Sequence, residues 1–158
     1  MREILFRGKP IAEFLEIESI NPNCFIYGDL EQCRHSDRTW INIEYLGGIR
    51  VAKETIGQYT GLTDKNGNKI FDGDIVKTRE YDFGYVVKYG EFVPTELKMF
   101  LEDSAKKGMY EFKKGDEAKV YGLYVECLKT GECLLPGYHR KMQMWVIGNI
   151  HDNPDGGE

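Results

Sequence analysis

Apolar residues in this chain come in short runs that are separated by turn residues. Between residues 54 and 77, β-branched and aromatic side chains alternate with the polar stretches Asp64–Gly67 and Asp72–Asp74. Glycine accepts a positive φ without strain, and Asn and Asp bond their own backbone in turns. This pattern predicts compact β-structure with a hairpin at Asn66-Gly67, in a type I′ turn or a type I turn followed by a bulge.

The same alternation predicts strands along most of the chain. They are expected at residues 3–7, 24–30, 39–43, 49–51, 75–79, 85–89, 119–128 and 141–150. Residues 11–20 fit a short helical turn and a strand equally well. The segment Pro94–Gly108 is predicted to be a helix, because Leu97, Phe100 and Leu101 recur at helical spacing.

Together these elements predict a mainly β protein with one helix. A tight glycine turn that starts one strand, followed by a hairpin that returns it, is common in SH3-like β-barrels. We therefore expect a small N-terminal β subdomain at residues 1–50. An SH3-like barrel should span 51–154, with a helical insertion near 95–107, and residues 155–158 should form a tail. The strand at Met144–Ile150 is expected to close the barrel.

Composition narrows the classes of function. The chain has 158 residues, 41% of them hydrophobic, which suits one domain or two small subdomains. Its net charge of −5 disfavours non-specific binding to nucleic acid. No apolar run is long enough to span a membrane, and charged residues interrupt the N-terminal segment, so we expect neither a membrane span nor a signal peptide.

Aromatic residues around the predicted second hairpin form the candidate binding face. The four rings are Tyr81, Phe83, Tyr85 and Tyr89, and Trp40 and Trp145 are further candidates for the same face. Such a face stacks on single-stranded nucleic acid or holds proline-rich peptides. The same rings also suit the core of a small β-domain, because aromatic side chains dominate burial in cores as well as in interfaces.

Cysteine and histidine spacing argues against a metal site. Cys24, Cys33 and His35 fall in one region, and Cys127, Cys133 and His139 in another. Structural zinc sites take paired ligands two to four residues apart, and these cysteines are spaced more widely. The Asp64–Asn68 stretch resembles the start of a calcium loop but lacks the required Gly and Glu further on. We expect free thiols, no metal and no cofactor.

No arrangement of nucleophile and base stands out. His151 beside Asp152 suits a general base, but a strand end that satisfies its own backbone groups accounts for the same residues. We therefore expect no catalytic residue and no enzyme activity.

Several blocks of this sequence resemble the YopX family, which comprises proteins of bacteriophages and prophages. The blocks occur in the family's order at Met1–Lys9, Tyr27–Leu30, Thr55–Leu62, Asp64–Gly67, Gly73–Val76 and Val146–Pro154. The segment from Phe92 to Tyr138 matches no block of the family. The resemblance implies a barrel with an N-terminal subdomain that mediates association, hence a homo-oligomer, but it brings no biochemical activity.

These observations lead to two expected functions. The first is a non-enzymatic phage or prophage accessory protein that binds a phage or host protein in the bacterial cytoplasm. The alternative is a nucleic-acid-binding module that uses barrel loops and an aromatic face, which the acidic net charge disfavours.

Overall fold

The computed structural model describes residues 3–15, 19–107, 119–135 and 144–152. This part of the chain is mainly β with one α-helix, as predicted. The strands are β1 (Phe6–Gly8), β2 (Ile26–Gln32), β3 (Thr39–Ile43), β4 (Gly47–Arg50), β5 (Gly57–Thr63), β6 (Lys69–Phe71), β7 (Asp74–Lys77), β8 (Gly84–Phe92), β9 (Val120–Cys127), β10 (Cys133–Leu134) and β11 (Trp145–Asn149). The helix is α1 (Thr95–Lys106), and short 3-10 turns lie at Ala12–Phe14 and Lys53–Thr55.

The chain divides into two compact units. The first contains the described residues up to Thr63 together with Lys69–Asp72, and the second contains Asp64–Asn68 and the described residues from Gly73 onward. The sequence placed β5 and β6 in a second domain that begins at residue 51. In the structure both strands extend the sheet of the first unit, because β5 pairs antiparallel with β1.

The first unit is built on a six-stranded antiparallel sheet in the order β4-β3-β2-β1-β5-β6. Alternation along β3 and β4 separates its two faces: Ile41 and Ile49 are buried, whereas Trp40 and Arg50 lie on the opposite face. The predicted pair at residues 24–30 and 39–43 is confirmed as β2 and β3.

The segment after β1 returns to the segment after β4. Pro10 forms an isolated antiparallel bridge with Val51, and the Ile11 N–H donates to the Arg50 carbonyl over 3.0 Å. Part of the outer edge of β4 is thereby covered, which removes backbone groups from an otherwise open sheet edge. The 3-10 turn Ala12–Phe14 follows directly and lies beside β4.

The second unit contains a five-stranded antiparallel sheet in the order β10-β9-β8-β7-β11. Its core lies on the face that carries Val76, Tyr85, Val87, Val125 and Cys127, all of them buried. The ladder shifts register between Val146 and Gly148 in β11, as at a β-bulge. Ile147 at this bulge is exposed.

The predicted barrel closure is not confirmed. β11 pairs with β7, as a terminal strand of the sheet, and within the described residues no ladder joins β11 to β10. The sequence pattern placed an apolar strand at the end of the chain, but alternation alone does not identify a strand's neighbour.

The helix agrees with its predicted range, although Gly108, the last residue of that range, lies outside the described residues. The last predicted strand likewise begins at residue 141, outside the described part, and the tail at 155–158 lies outside it too. The described parts of the chain contain no helix that combines the length and the hydropathy needed to cross a membrane.

Candidate binding surfaces

The predicted aromatic face is divided in the structure. Tyr81 stacks on Phe83 with ring centroids 5.1 Å apart, and Phe83 contacts Tyr85 at 5.5 Å. Tyr85 is only 3% exposed, so its ring belongs to the core of the second unit. Burial also raises the pKa of the Tyr85 hydroxyl, as expected for a group that is removed from water.

Tyr89 lies apart from the other three rings. It shares a face of β8 with Tyr85, but the two residues are four positions apart in the strand, a distance of about 13 Å. Tyr89 instead makes an edge-to-face contact of 5.5 Å with Tyr121 of β9, and both side chains are exposed. The structure thus brings three of the predicted residues together and pairs the fourth with a ring that the prediction omitted.

A concave surface lies on the face of the first sheet that carries Trp40 and Arg50. We call it the sheet groove; it encloses about 500 Å³ and is lined by Glu13, Phe14, Leu15, Arg38, Trp40, Leu46, Gly48, Ile49 and Arg50. The β3–β4 register places Trp40 directly opposite Arg50. The 3-10 turn after β1 brings the Phe14 ring to 3.9 Å from the Arg50 guanidinium, a cation–π contact.

A second cavity lies in the loop between β2 and β3. This loop cavity encloses about 420 Å³ and is lined by Gln32, Cys33, Arg34, His35, Ser36, Asp37, Arg38, Thr39 and Lys53. Arg38 lines both this cavity and the sheet groove. The two concave surfaces are therefore adjacent and share a guanidinium group.

Basic side chains predominate around these two cavities. Together they carry four basic residues (Arg34, Arg38, Arg50 and Lys53) and two acidic ones (Glu13 and Asp37), a difference of two positive charges. Lys53 and Asp37 form an ion pair of 3.1 Å. The chain as a whole carries a net charge of −5, so this region differs in sign from the rest of the molecule.

The Cys33 thiol reports the same local environment. Its pKa is lowered from the usual value, chiefly by a hydrogen bond with the Ser36 side chain and one with the His35 backbone, and Arg38 adds a favourable charge. Because its pKa is lowered, Cys33 forms thiolate at a lower pH than an ordinary cysteine does. The side chain is also exposed, so reagents can reach it.

A third cavity, of about 580 Å³, adjoins the sheet groove at Arg50 and the loop cavity at Lys53. Its lining also contains Asp37 and Glu54, so its basic and acidic side chains balance. The positive charge is thus concentrated in the first two cavities.

All four cysteines are free of disulfide bonds in the structure. Cys127 is buried and Cys133 half-buried, as expected for free thiols, whereas Cys24 and Cys33 are exposed. Across the described ranges no group of three or more His, Cys, Asp and Glu side chains is arranged to hold a metal ion. His139 lies outside the described residues. The His151 backbone N–H donates to Asn149 Oδ1 over 2.9 Å, as in a strand end that satisfies its own polar groups.

Sequence reasoning named Trp40 as a candidate for an aromatic face but did not predict the sheet groove. The alternation in Thr39–Ile43 does place Trp40 opposite the buried Ile41, and this signal marks Trp40 as an outward-facing ring. The meeting of Phe14, Trp40 and Arg50 depends on the β3–β4 register and on a short 3-10 turn, neither of which the periodicity specifies.

The fold and these surfaces define a mainly β protein with two antiparallel sheets and a basic, aromatic groove on the first of them. The family model for the YopX protein matches residues 12–155, nearly the whole chain, and the chain therefore belongs to the YopX family. A search of curated proteins found no match to this chain.

Proposed function

We propose that this protein is a non-enzymatic phage or prophage accessory protein that acts in the cytoplasm of a bacterial host by binding a partner protein. The observation that carries the proposal is the sheet groove. Phe14 and Leu46 are 48% and 54% exposed there, beside the half-buried Trp40. Aromatic and arginine side chains in one concave surface are the residue types that dominate the energetics of protein interfaces.

The groove is partly preorganised for binding. Arg50 is held from one side by the Phe14 ring and stands next to Trp40 in the ladder. A side chain that is already ordered loses less conformational entropy when a partner binds, so more of the contact energy contributes to affinity.

The test asks whether capture of a partner protein requires the side chains of the sheet groove. Tagged full-length protein, Trp40→Ala and a control variant, Tyr121→Ala, are incubated with nuclease-treated host lysate. Tyr121 is the matched control because it is an aromatic residue, 73% exposed, in the second unit. We expect a captured protein to be lost with Trp40→Ala and retained with Tyr121→Ala, and to bind again after purification. Equal capture by all three forms would contradict the proposal, provided that the thermal melts of the variants match the parent.

A nucleic-acid-binding module is the second candidate. The observation that favours it is the arrangement of Arg50, Phe14 and Trp40, since bases stack on aromatic rings and on guanidinium planes. If the protein binds nucleic acid, nuclease treatment of the lysate removes the material that the tagged protein captures. The affinity of the protein for nucleic acid then falls steeply as the salt concentration rises.

An SH3-like barrel over residues 51–154 and self-association through residues 1–50 remain predictions. They rest on the turn pattern and on the family resemblance respectively. Sedimentation velocity measures the association directly, and a monomer at all concentrations would rule it out.

A further inference from the structure

We infer that the sheet groove and the loop cavity together bind an acidic peptide segment of the partner. An apolar side chain of that segment lies against Phe14, Trp40 and Leu46, and its carboxylates pair with Arg34, Arg38 and Arg50. This inference rests on the proposed function and specifies the chemistry of its partner.

Continuity between the two cavities is the first step of the argument. Arg38 immediately precedes β3 and lines both cavities, so one extended segment can contact the two in turn. Trp40, two residues further along, lies on the groove floor opposite Arg50. Apolar contacts are thus concentrated in the groove and basic groups in the adjoining loop.

Charge gives the second step. The Lys53–Asp37 pair is balanced, which leaves three guanidinium groups against the single carboxylate of Glu13. Arginine presents its donors in a planar fork that matches a carboxylate with two parallel hydrogen bonds. Exposed lysines offer no such geometry, so the arginine content favours bidentate recognition of a carboxylate or a phosphate over general attraction to anions.

The third step separates a peptide from a nucleic acid. The Glu13 carboxylate lies within the lining of the groove, and the whole chain is negatively charged. A phosphate backbone carries a charge at every nucleotide and is repelled by the Glu13 carboxylate and by the net charge of the chain. A peptide with a few spaced carboxylates and an apolar side chain between them avoids this repulsion.

Fluorescence anisotropy with defined peptides tests the inference on the full chain. The probe is a labelled heptapeptide with a central Phe and two spaced carboxylates, Asp at its second position and Glu at its sixth, with Gly elsewhere. Its controls replace the Phe with Gly or the acidic residues with Lys and Arg. We expect saturable binding of the first peptide only, weakened about tenfold by Arg38→Glu, the loss of one strong charged contact. Arg79→Glu is the matched control because Arg79 is an exposed residue of the second unit and undergoes the same change in charge.

The cysteines provide a second, site-specific measurement on the unmutated protein. Cys33 lines the loop cavity, whereas Cys24 is exposed in the bend before β2. We expect the acidic peptide to slow alkylation of Cys33 by N-ethylmaleimide, a neutral reagent, while alkylation of Cys24 continues at its original rate. Peptide mapping by mass spectrometry gives both rates from one sample.

Three results would overturn the inference. Equal weakening by Arg38→Glu and Arg79→Glu would show only non-specific attraction. Protection of Cys33 by a single-stranded oligothymidine instead of the acidic peptide would assign the site to nucleic acid. Failure of the acidic peptide to bind, while a captured partner still depends on Trp40, would refute the acidic chemistry and leave the proposed function standing.

Discussion

Gly67 adopts a left-handed backbone conformation, with a φ of +86°, at the end of the loop between β5 and β6. A Cβ at this position would meet no atom within 4 Å, so the obstacle to substitution is the backbone angle and not steric contact. Non-glycine residues lose roughly 1–2 kcal/mol in this region of φ/ψ space.

Gly67→Ala is therefore expected to lower the stability of the protein by about 1 kcal/mol. Gly90→Ala is the matched control, since Gly90 lies in β8 with equal free space around it and no positive φ. The measurement is urea denaturation of both variants beside the parent. Equal effects of the two substitutions would show that backbone strain at Gly67 is unimportant.

Single residues differ in how far the sequence predicted them. Asn66-Gly67 identified the turn, because its requirement for a positive φ is local. Of the described non-glycine residues only Tyr45 has a positive φ, which excludes the type I′ form at Asn66. The bond from the Gly67 N–H to the Asp64 carbonyl and the positive φ of Gly67 match the type I form with a bulge. Exposure was harder to predict: Tyr85 and Tyr89 share a face of β8, yet one is in the core and the other is in solvent. Alternation assigns residues to a face, but what covers each part of that face is decided by distant segments.

At the scale of elements, the loop 64–68 is fixed to β11 by one carboxylate. Asp64 accepts hydrogen bonds from the N–H groups of Asn66 and Asn68 at 2.8 Å, from the Asn68 amide at 3.0 Å and from the Val146 N–H at 3.3 Å. The Lys65 backbone N–H donates a hydrogen bond to the Met144 carbonyl. The Lys65 ammonium group lies 3.7 Å from the centre of the Trp145 ring. Burial raises the pKa of Asp64, but the hydrogen bonds from Asn68, Asn66 and Val146 outweigh burial and lower it overall.

Asp64→Asn is expected to destabilise the protein by about 1–3 kcal/mol at neutral pH, because an amide has one acceptor oxygen where the carboxylate uses two. A lowered pKa in the folded state means that the stabilisation is complete above the ordinary value of 3.8 and is lost as the pH falls through the folded value. The parent and the variant should therefore converge in stability below that pH. The check is denaturation of both proteins at neutral and acidic pH, and a difference independent of pH would contradict the role of the charge.

The sequence predicted strand pairs that are close together along the chain, but not pairs between distant segments. Strand pairs that are neighbours in sequence, such as β2–β3 and β7–β8, were located by their turns and alternation. The β1–β5 and β7–β11 pairs join segments far apart along the chain, and no local signal specifies them. The division at residue 50 and the expected barrel closure both depended on such distant pairs. The sheet groove depends on the non-local approach of Phe14 to Arg50.

For the whole molecule, the four cysteines give a prediction that covers both units. Native mass spectrometry of protein purified without chelator should give the bare polypeptide mass with four free thiols. Alkylation of the folded protein should modify the exposed Cys24 and Cys33, whereas Cys127, which is 3% exposed, should react only on unfolding. A stoichiometric zinc adduct, or modification of Cys127 at the rate of Cys24, would contradict this.

The loop 64–68 belongs to the second unit, although the strands on both sides of it belong to the first. Its hydrogen bond to Val146 spans 82 positions of the chain. A ribosome that adds about 5–20 residues per second takes about 4–16 s to cover that distance. During this interval the ribosome has already added Asp64 to the chain but has not yet added Val146, so the hydrogen bond between them cannot form. The nascent chain can therefore complete the first sheet well before the second unit acquires its last strand.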